Sequence, residues 1–138
     1  MVKYDLTKED KELIDTALLT EAENHDYGEH YRVVACALRC KDGEIYKGIN
    51  VGKIHGSCAE FVALGAAIAD GRRAFKTIVA VHREAKNNLV SPCGNCRQLM
   101  MEYCPDIMVI VNDEQGKAVK VRAKDLIPYA YEEVIINK

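Results

Sequence analysis

The chain has no tryptophan, two phenylalanines, three prolines and no apolar run approaching the length of a bilayer span. A membrane-spanning helix needs about 20 consecutive apolar residues, so that class is excluded. The polar, charged stretch after Met1 lacks the apolar centre of a secretion signal. Positive charge is not in excess either. The 19 Lys and Arg stand against 21 Asp and Glu, a net charge of −2, whereas nucleic-acid binding draws on a basic surface. No proline-, glycine- or serine-rich stretch divides the chain, and no internal repeat is visible. The expectation is a single cytoplasmic domain over residues 1–138, with neither nucleic acid nor membrane as partner.

What the chain has is apolar content and thiols. Hydrophobic residues make up 49% of it, enough to bury a substantial core. The six cysteines would suggest disulfides in a secreted protein. Without a secretion signal, reduced, buried or metal-binding thiols are the better expectation.

Taken in order, Thr7 and Asp10 form a capping pair, and Leu13, Ile14, Ala17, Leu18 and Ala22 recur with helical spacing. The first helix is expected over Thr7 to Ala22. A strand buried on both faces follows from Tyr31 to Leu38, with a hairpin at Lys41-Asp42-Gly43 and a second strand from Glu44 to Val51. Ser57 is the expected N-cap of an alanine-rich helix running to Asp70, which Gly71 ends. Thr77 to Val81 reads as a strand, and Arg83 to Leu89 as a surface crossing. Ser91 and Pro92 fit the N-cap and first position of a helix that stops before Pro105. Strands at Ile107–Val111 and Ala118–Arg122 and a helical turn at Lys124–Ile127 complete the pattern. The order α-β-β-α-β-α-β-β implies a five-stranded mixed sheet with helices on both faces, a three-layer α/β/α domain.

Cys58 falls at one predicted helix start and Cys93 at another, with Cys96 one turn further along. A helix N-terminus favours negative charge and so helps a thiol ionise and bind metal. Three cysteine ligands on Zn2+ leave a fourth position for water, whose pKa the ion lowers to about 7. Glu60, two residues beyond Cys58, is placed to carry protons beside such a water. Three thiolates on a dication leave a net negative charge, and Arg97 is the nearest candidate cation. The same residues admit blander readings. Ser57-x-x-Glu60 fits a capping box, and Cys93-x-x-Cys96 alone fits a structural zinc site or a redox pair. A non-catalytic zinc-stapled domain, with His55 closing the fourth position, is the alternative.

The combination of Cys58-Ala59-Glu60 with Pro92-Cys93-Gly94-Asn95-Cys96-Arg97-Gln98 resembles the cytidine deaminase superfamily, and the longer second motif resembles its free-nucleoside branch. Within that branch the sequence looks closest to the blasticidin S deaminases, through Asn50-Val51, Gly56-x-Cys58-Ala59-Glu60, Val62-x-Leu64-Gly65, Ser91 to Gln98 and Pro128-x-x-Tyr131. The resemblance implies a cytidine deaminase-like fold and Zn2+ held by Cys58, Cys93 and Cys96. It implies Glu60 as proton shuttle in hydrolysis of a cytosine nucleoside to the uracil form and ammonia. It also implies that the backbones of Ala59 and Ser91 hold the base and Asn50 the sugar, with Tyr131 as a further substrate contact. A homotetramer and a role in pyrimidine salvage or antibiotic inactivation follow from the same likeness. Another amino-heterocycle is an alternative substrate. Gly52 stands where cytidine deaminases carry a ribose-binding Glu, and Phe61 where many three-cysteine members carry Arg; both differences occur in blasticidin-type relatives.

Overall fold

A computed structural model describes residues 1–25, 33–52 and 56–133. The first helix, α1 (Lys8–Glu23), starts on a closed capping box. The Asp10 amide donates to Thr7 Oγ1 and the Thr7 amide to the Asp10 carboxylate. Leu13 and Ala17, one turn apart, are fully buried on its inner face.

Strands β1 (Ala35–Cys40) and β2 (Ile45–Ile49) form the predicted hairpin, with Gly43 at φ 93° in the turn. Strand β1 begins later than expected and runs two residues further. Tyr31 and Arg32 lie outside the described residues. Helix α2 (Ala59–Ala69) ends as expected at Gly71, where φ is 88°. The amides of Gly71 and Arg72 bond back to Ile68 and Ala67, satisfying carbonyls the helix leaves open.

Strand β3 (Phe75–Val81) is followed by β4 (Leu89–Val90), then α3 (Gly94–Tyr103), β5 (Met108–Asn112) and β6 (Ala118–Arg122). The main path of the sheet is β2-β1-β3-β5-β6, antiparallel except for the parallel pair β3–β5. The short β4, hidden in sequence at the end of a polar stretch, pairs with β3 beside this path. The expected mixed sheet is therefore present, with a two-residue sixth strand added.

Alternation along β1 explains the three layers. Ala35 and Ala37 pack with Leu13, Ala17, Val79 and Val81 in the core beneath α1. Cys36, Leu38 and Cys40 face the other way, among Ala59, Ala63 and Ala67 of α2 and Met100 of α3. A strand buried on both faces has little room for polar residues, which is why Val33 to Leu38 reads as an unbroken apolar run that gives way only at Arg39 near the strand's end.

Helix α2 comes unusually close to the sheet. A Cβ on Gly48 of β2 would collide with the Ala59 carbonyl oxygen and lie 2.6 Å from the Ala63 amide nitrogen. Only glycine admits that approach, and it sets the height of the first turn of α2, the turn that carries Cys58 and Glu60. Among the described residues no helix is long and apolar enough to cross a membrane.

Candidate active site

Two of the three predicted helix starts shift by one or two residues, and the shift is informative. Ser57 does not cap α2: its backbone pairs with Val51 in both directions, which keeps it extended. Cys58 is the N-cap instead, and no side-chain cap bond forms, so the Ser57–Glu60 capping box is absent. At the third helix, Pro92 holds the preceding Ser91 away from helical geometry, and Cys93 rather than Ser91 is the N-cap. Cys96 then occupies the third position of α3. Both candidate ligand segments thus place a cysteine at the boundary where the chain enters a helix.

These boundaries meet. The sulfurs of Cys58, Cys93 and Cys96 all lie within 4.8 Å of one another, with Cys58 and Cys93 3.4 Å apart. Sulfurs bound to a tetrahedral zinc at about 2.3 Å would be about 3.8 Å from each other, so the spacing suits that ion. Cys96 is buried, Cys58 partly so and Cys93 exposed, which leaves an approach from solvent on the Cys93 side. Glu60 is 6% exposed and sits in reach of the Cys96 thiol. Behind it is a cavity of about 10 Å³, lined by Ile78, Val90, Pro92, Met100 and Val109, close to the least space a water occupies.

The electrostatics of this cluster call for a cation. Burial raises the Glu60 carboxyl above its ordinary range, opposed by its own amide and the Cys96 thiol. Cys96 is pushed up by burial and then by the charges of Glu60 and Cys58; Cys58 is raised by burial and by its bond to Cys93. Of the three, only Cys93 is lowered: burial works against it, and the Cys96 backbone N–H, the thiols of Cys58 and Cys96 and then the Asn95 N–H together outweigh that. Neither N–H closes a cap bond of ordinary geometry. No cation is among the main causes of these shifts, so three thiolates beside a carboxylate would repel one another. A dication relieves that repulsion, and the donor set fits zinc.

Arg97 does not supply the missing charge through contact with sulfur. Its Nε donates to the Pro92 carbonyl at 2.8 Å, Nη1 to the Leu126 carbonyl at 3.0 Å and Nη2 to Ser91 Oγ at 2.9 Å. The remaining candidates are distributed around the two helix starts. Ala59 is the fully buried first residue of α2. Asn50 follows β2, its Oδ1 accepting from the Val34 amide at 2.8 Å. Tyr131 is exposed, and its carbonyl accepts from Gln98 Nε2 of α3 at 3.0 Å, which ties the tail to that helix.

The other thiols stand apart from the cluster. Cys36 and Cys40 are buried in β1, and burial pushes the Cys104 thiol up to about 12. His55 and His30 lie outside the described residues. His25 is half-exposed, 3.5 Å from Glu21, and His82 Nδ1 accepts from the Glu84 amide. Sequence alone gives Gly48 no packing role and Arg97 no acceptors. A glycine inside a strand was the available signal for the first; nothing in sequence foretold the second.

The same region matches known proteins. Residues 7–112 match the family model described as the cytidine and deoxycytidylate deaminase zinc-binding region. The blasticidin-S deaminase of Bacillus cereus is 35% identical over 95% of this chain and 98% of its own length. The cytidine deaminase of Halalkalibacterium halodurans is 39% identical over 71% of this chain and 76% of its own. In three dimensions, a cytidine deaminase from Burkholderia pseudomallei superposes with a TM-score of 0.71 at 30% identity, covering 91% of this chain and all of that one. One from Mycobacterium leprae gives 0.70 at 24% identity, a likeness of fold. The convergent thiols therefore sit in the segment by which a known family is defined, and the chain belongs to the cytidine and deoxycytidylate deaminases, zinc-dependent hydrolases.

Proposed function

We propose that this chain deaminates cytosine nucleosides hydrolytically, releasing ammonia and the uracil nucleoside. One observation carries the reading: Cys58, Cys93 and Cys96 converge next to a buried carboxyl, Glu60. Cys58, Cys93 and Cys96 would hold the ion. Zinc bound there supplies Lewis acidity that brings a water's pKa to about 7.

Glu60 handles the protons. It takes one from the water whose oxygen adds to ring carbon C4, and passes it to N3. It then moves the remaining hydroxyl proton to the amino group, which leaves as ammonia. Burial suits the task, because it raises the Glu60 carboxyl and so eases its taking up a proton that it must later release. The backbones of Ala59 and Ser91 are proposed to hold the base, Asn50 the sugar, and Tyr131 a more distant part of the substrate. The whole-length likeness to a blasticidin-S deaminase favours that aminoacyl-nucleoside over plain cytidine.

Glu60→Gln should retain zinc while turnover falls by about a thousandfold. Unchanged turnover would remove Glu60 from the chemistry. An ultraviolet assay on cytidine, deoxycytidine and blasticidin S side by side separates salvage from antibiotic inactivation. Turnover of none of them would favour a different amino-heterocycle. We also propose a cytoplasmic homotetramer. Its support is the outer face of α2, where Phe61, Gly65, Ala66 and Ala69 are exposed without a charge among them; light scattering would test it.

A further inference from the structure

We infer that Arg97 is a positioning residue for the base-facing segment Ser91–Pro92, acting by tethering it to the chain at Leu126. The inference rests on the reading of Ser91 as a substrate contact. Ser91 and Pro92 lie between β4 and α3, in no regular element, so the sheet and helix ladders do not hold them. The Arg97 guanidinium grips this segment twice, at the Pro92 carbonyl and the Ser91 hydroxyl. Its third bond goes to the Leu126 carbonyl, at the end of the 3-10 turn 123–126 that follows β6. That turn is anchored independently, through buried Ala123, whose amide bonds to the Ile107 carbonyl, and through Leu126 packed on the main core.

A rigid planar fork can hold three acceptors from two segments in fixed relation; a lysine ammonium, a point donor on a flexible stem, cannot. The segment so fixed leads directly into Cys93. Arg97 is thereby assigned to geometry around the substrate, acting through Ser91 and Pro92 rather than as a counter-charge to the thiolates.

The test compares zinc-loaded wild type, Arg97→Lys, Ser91→Ala and the double variant. Arg97→Lys keeps the charge, so it should keep one zinc per chain and a kcat within about threefold, while KM rises about tenfold. Direct calorimetric titration of blasticidin S into the Glu60→Gln background should show the same tenfold weakening when Arg97→Lys is added. Ser91→Ala should have a smaller effect of the same kind, and the two changes should not be additive, because they share a bond. A fall in kcat at constant KM, or zinc lost in step with activity, would overturn the proposal and return Arg97 to the metal's charge balance. Hydrogen exchange supplies a readout that does not depend on the substrate assignment. In Arg97→Lys the amide at position 97, which bonds to the Cys93 carbonyl at the end of the tethered segment, and the amides of Ala123 and Lys124 should lose protection together; loss on one side alone, or on neither, would also overturn it. If wild type turned over no cytosine nucleoside while the joint loss of protection occurred, the substrate reading would fail and the tether would stand.

Discussion

The helix on one face of the sheet and the two on the other begin in opposite ways. Helix α1 opens on a box in which Thr7 and Asp10 satisfy each other's amides, with Lys120 of β6 adding an ion pair at 2.8 Å. Helices α2 and α3 open on cysteines that make no side-chain cap bond. A side-chain cap is worth about 1 kcal/mol, so the face carrying the three cysteines forgoes about 2 kcal/mol over its two helices, where the opposite face keeps about 1 kcal/mol at its one. What it retains is unspent N–H groups and dipole at two helix ends, aimed at groups that must carry negative charge. A helix start that only supports the fold can close upon itself. One that serves chemistry has to be held by something else, and here the candidates are the metal and the close packing at Gly48.

Removing zinc should therefore separate the two faces more than any substitution. Chelation should abolish deamination and lower the melting temperature by about 10 °C, since ligands from two distant segments are tied through one ion. Hydrogen exchange should show the first turns of α2 and α3 losing protection while α1 keeps its own. Equal melting of chelated and zinc-loaded protein would mean that packing alone secures the uncapped helices.

Packing can be tested by itself. Gly48→Ala would press a methyl group into the backbone of α2 at Ala59 and Ala63, where no side chain can swing aside. Overpacking of this kind should destabilise the fold by about 3 kcal/mol. The displaced turn is the one carrying Cys58 and Glu60, so zinc affinity should fall with stability, as a competitive chelator titration would show. A variant that lost stability but bound zinc as tightly as before would mean that the metal re-seats α2 unaided.

The same contrast marks what sequence can show. The capping box of α1 was readable because Thr7 and Asp10 are three residues apart and answer only to each other. The three cysteines that converge were readable by residue type and spacing, and the sheet by the apolar run into β1. The boundaries of α2 and α3 were misplaced because a serine in each segment looks like a better cap than the cysteine after it. What decides against Ser57 is its pairing with Val51, and against Ser91 the ring of Pro92; the first is a tertiary contact. Arg97 reads as a counter-charge because it adjoins Cys96 in sequence, whereas its acceptor at Leu126 is 29 residues away.

The smallest of the expected effects lies on the closed face. Asp10 is buried, and burial alone would raise its pKa; the bond from Lys120 and those from Thr7 outweigh it and hold the carboxyl below its ordinary value of 3.8. A depressed carboxylate pKa adds stability above the unfolded value, and that increment fades as pH falls through the folded one. Asp10→Asn keeps an acceptor for the Thr7 amide and loses the charge facing Lys120, so it should destabilise by about 2 kcal/mol at pH 7. The gap between variant and wild type should be full above about pH 4 and close below it. Zinc content and KM should not change, because this ion pair joins α1 to β6 on the side of the sheet away from the thiols. Denaturant melts in steps from pH 7 down to about pH 2 would check it: a gap that stayed constant throughout would mean that Asp10 acts through shape rather than charge, and that the closed helix start owes its stability to hydrogen-bond geometry alone.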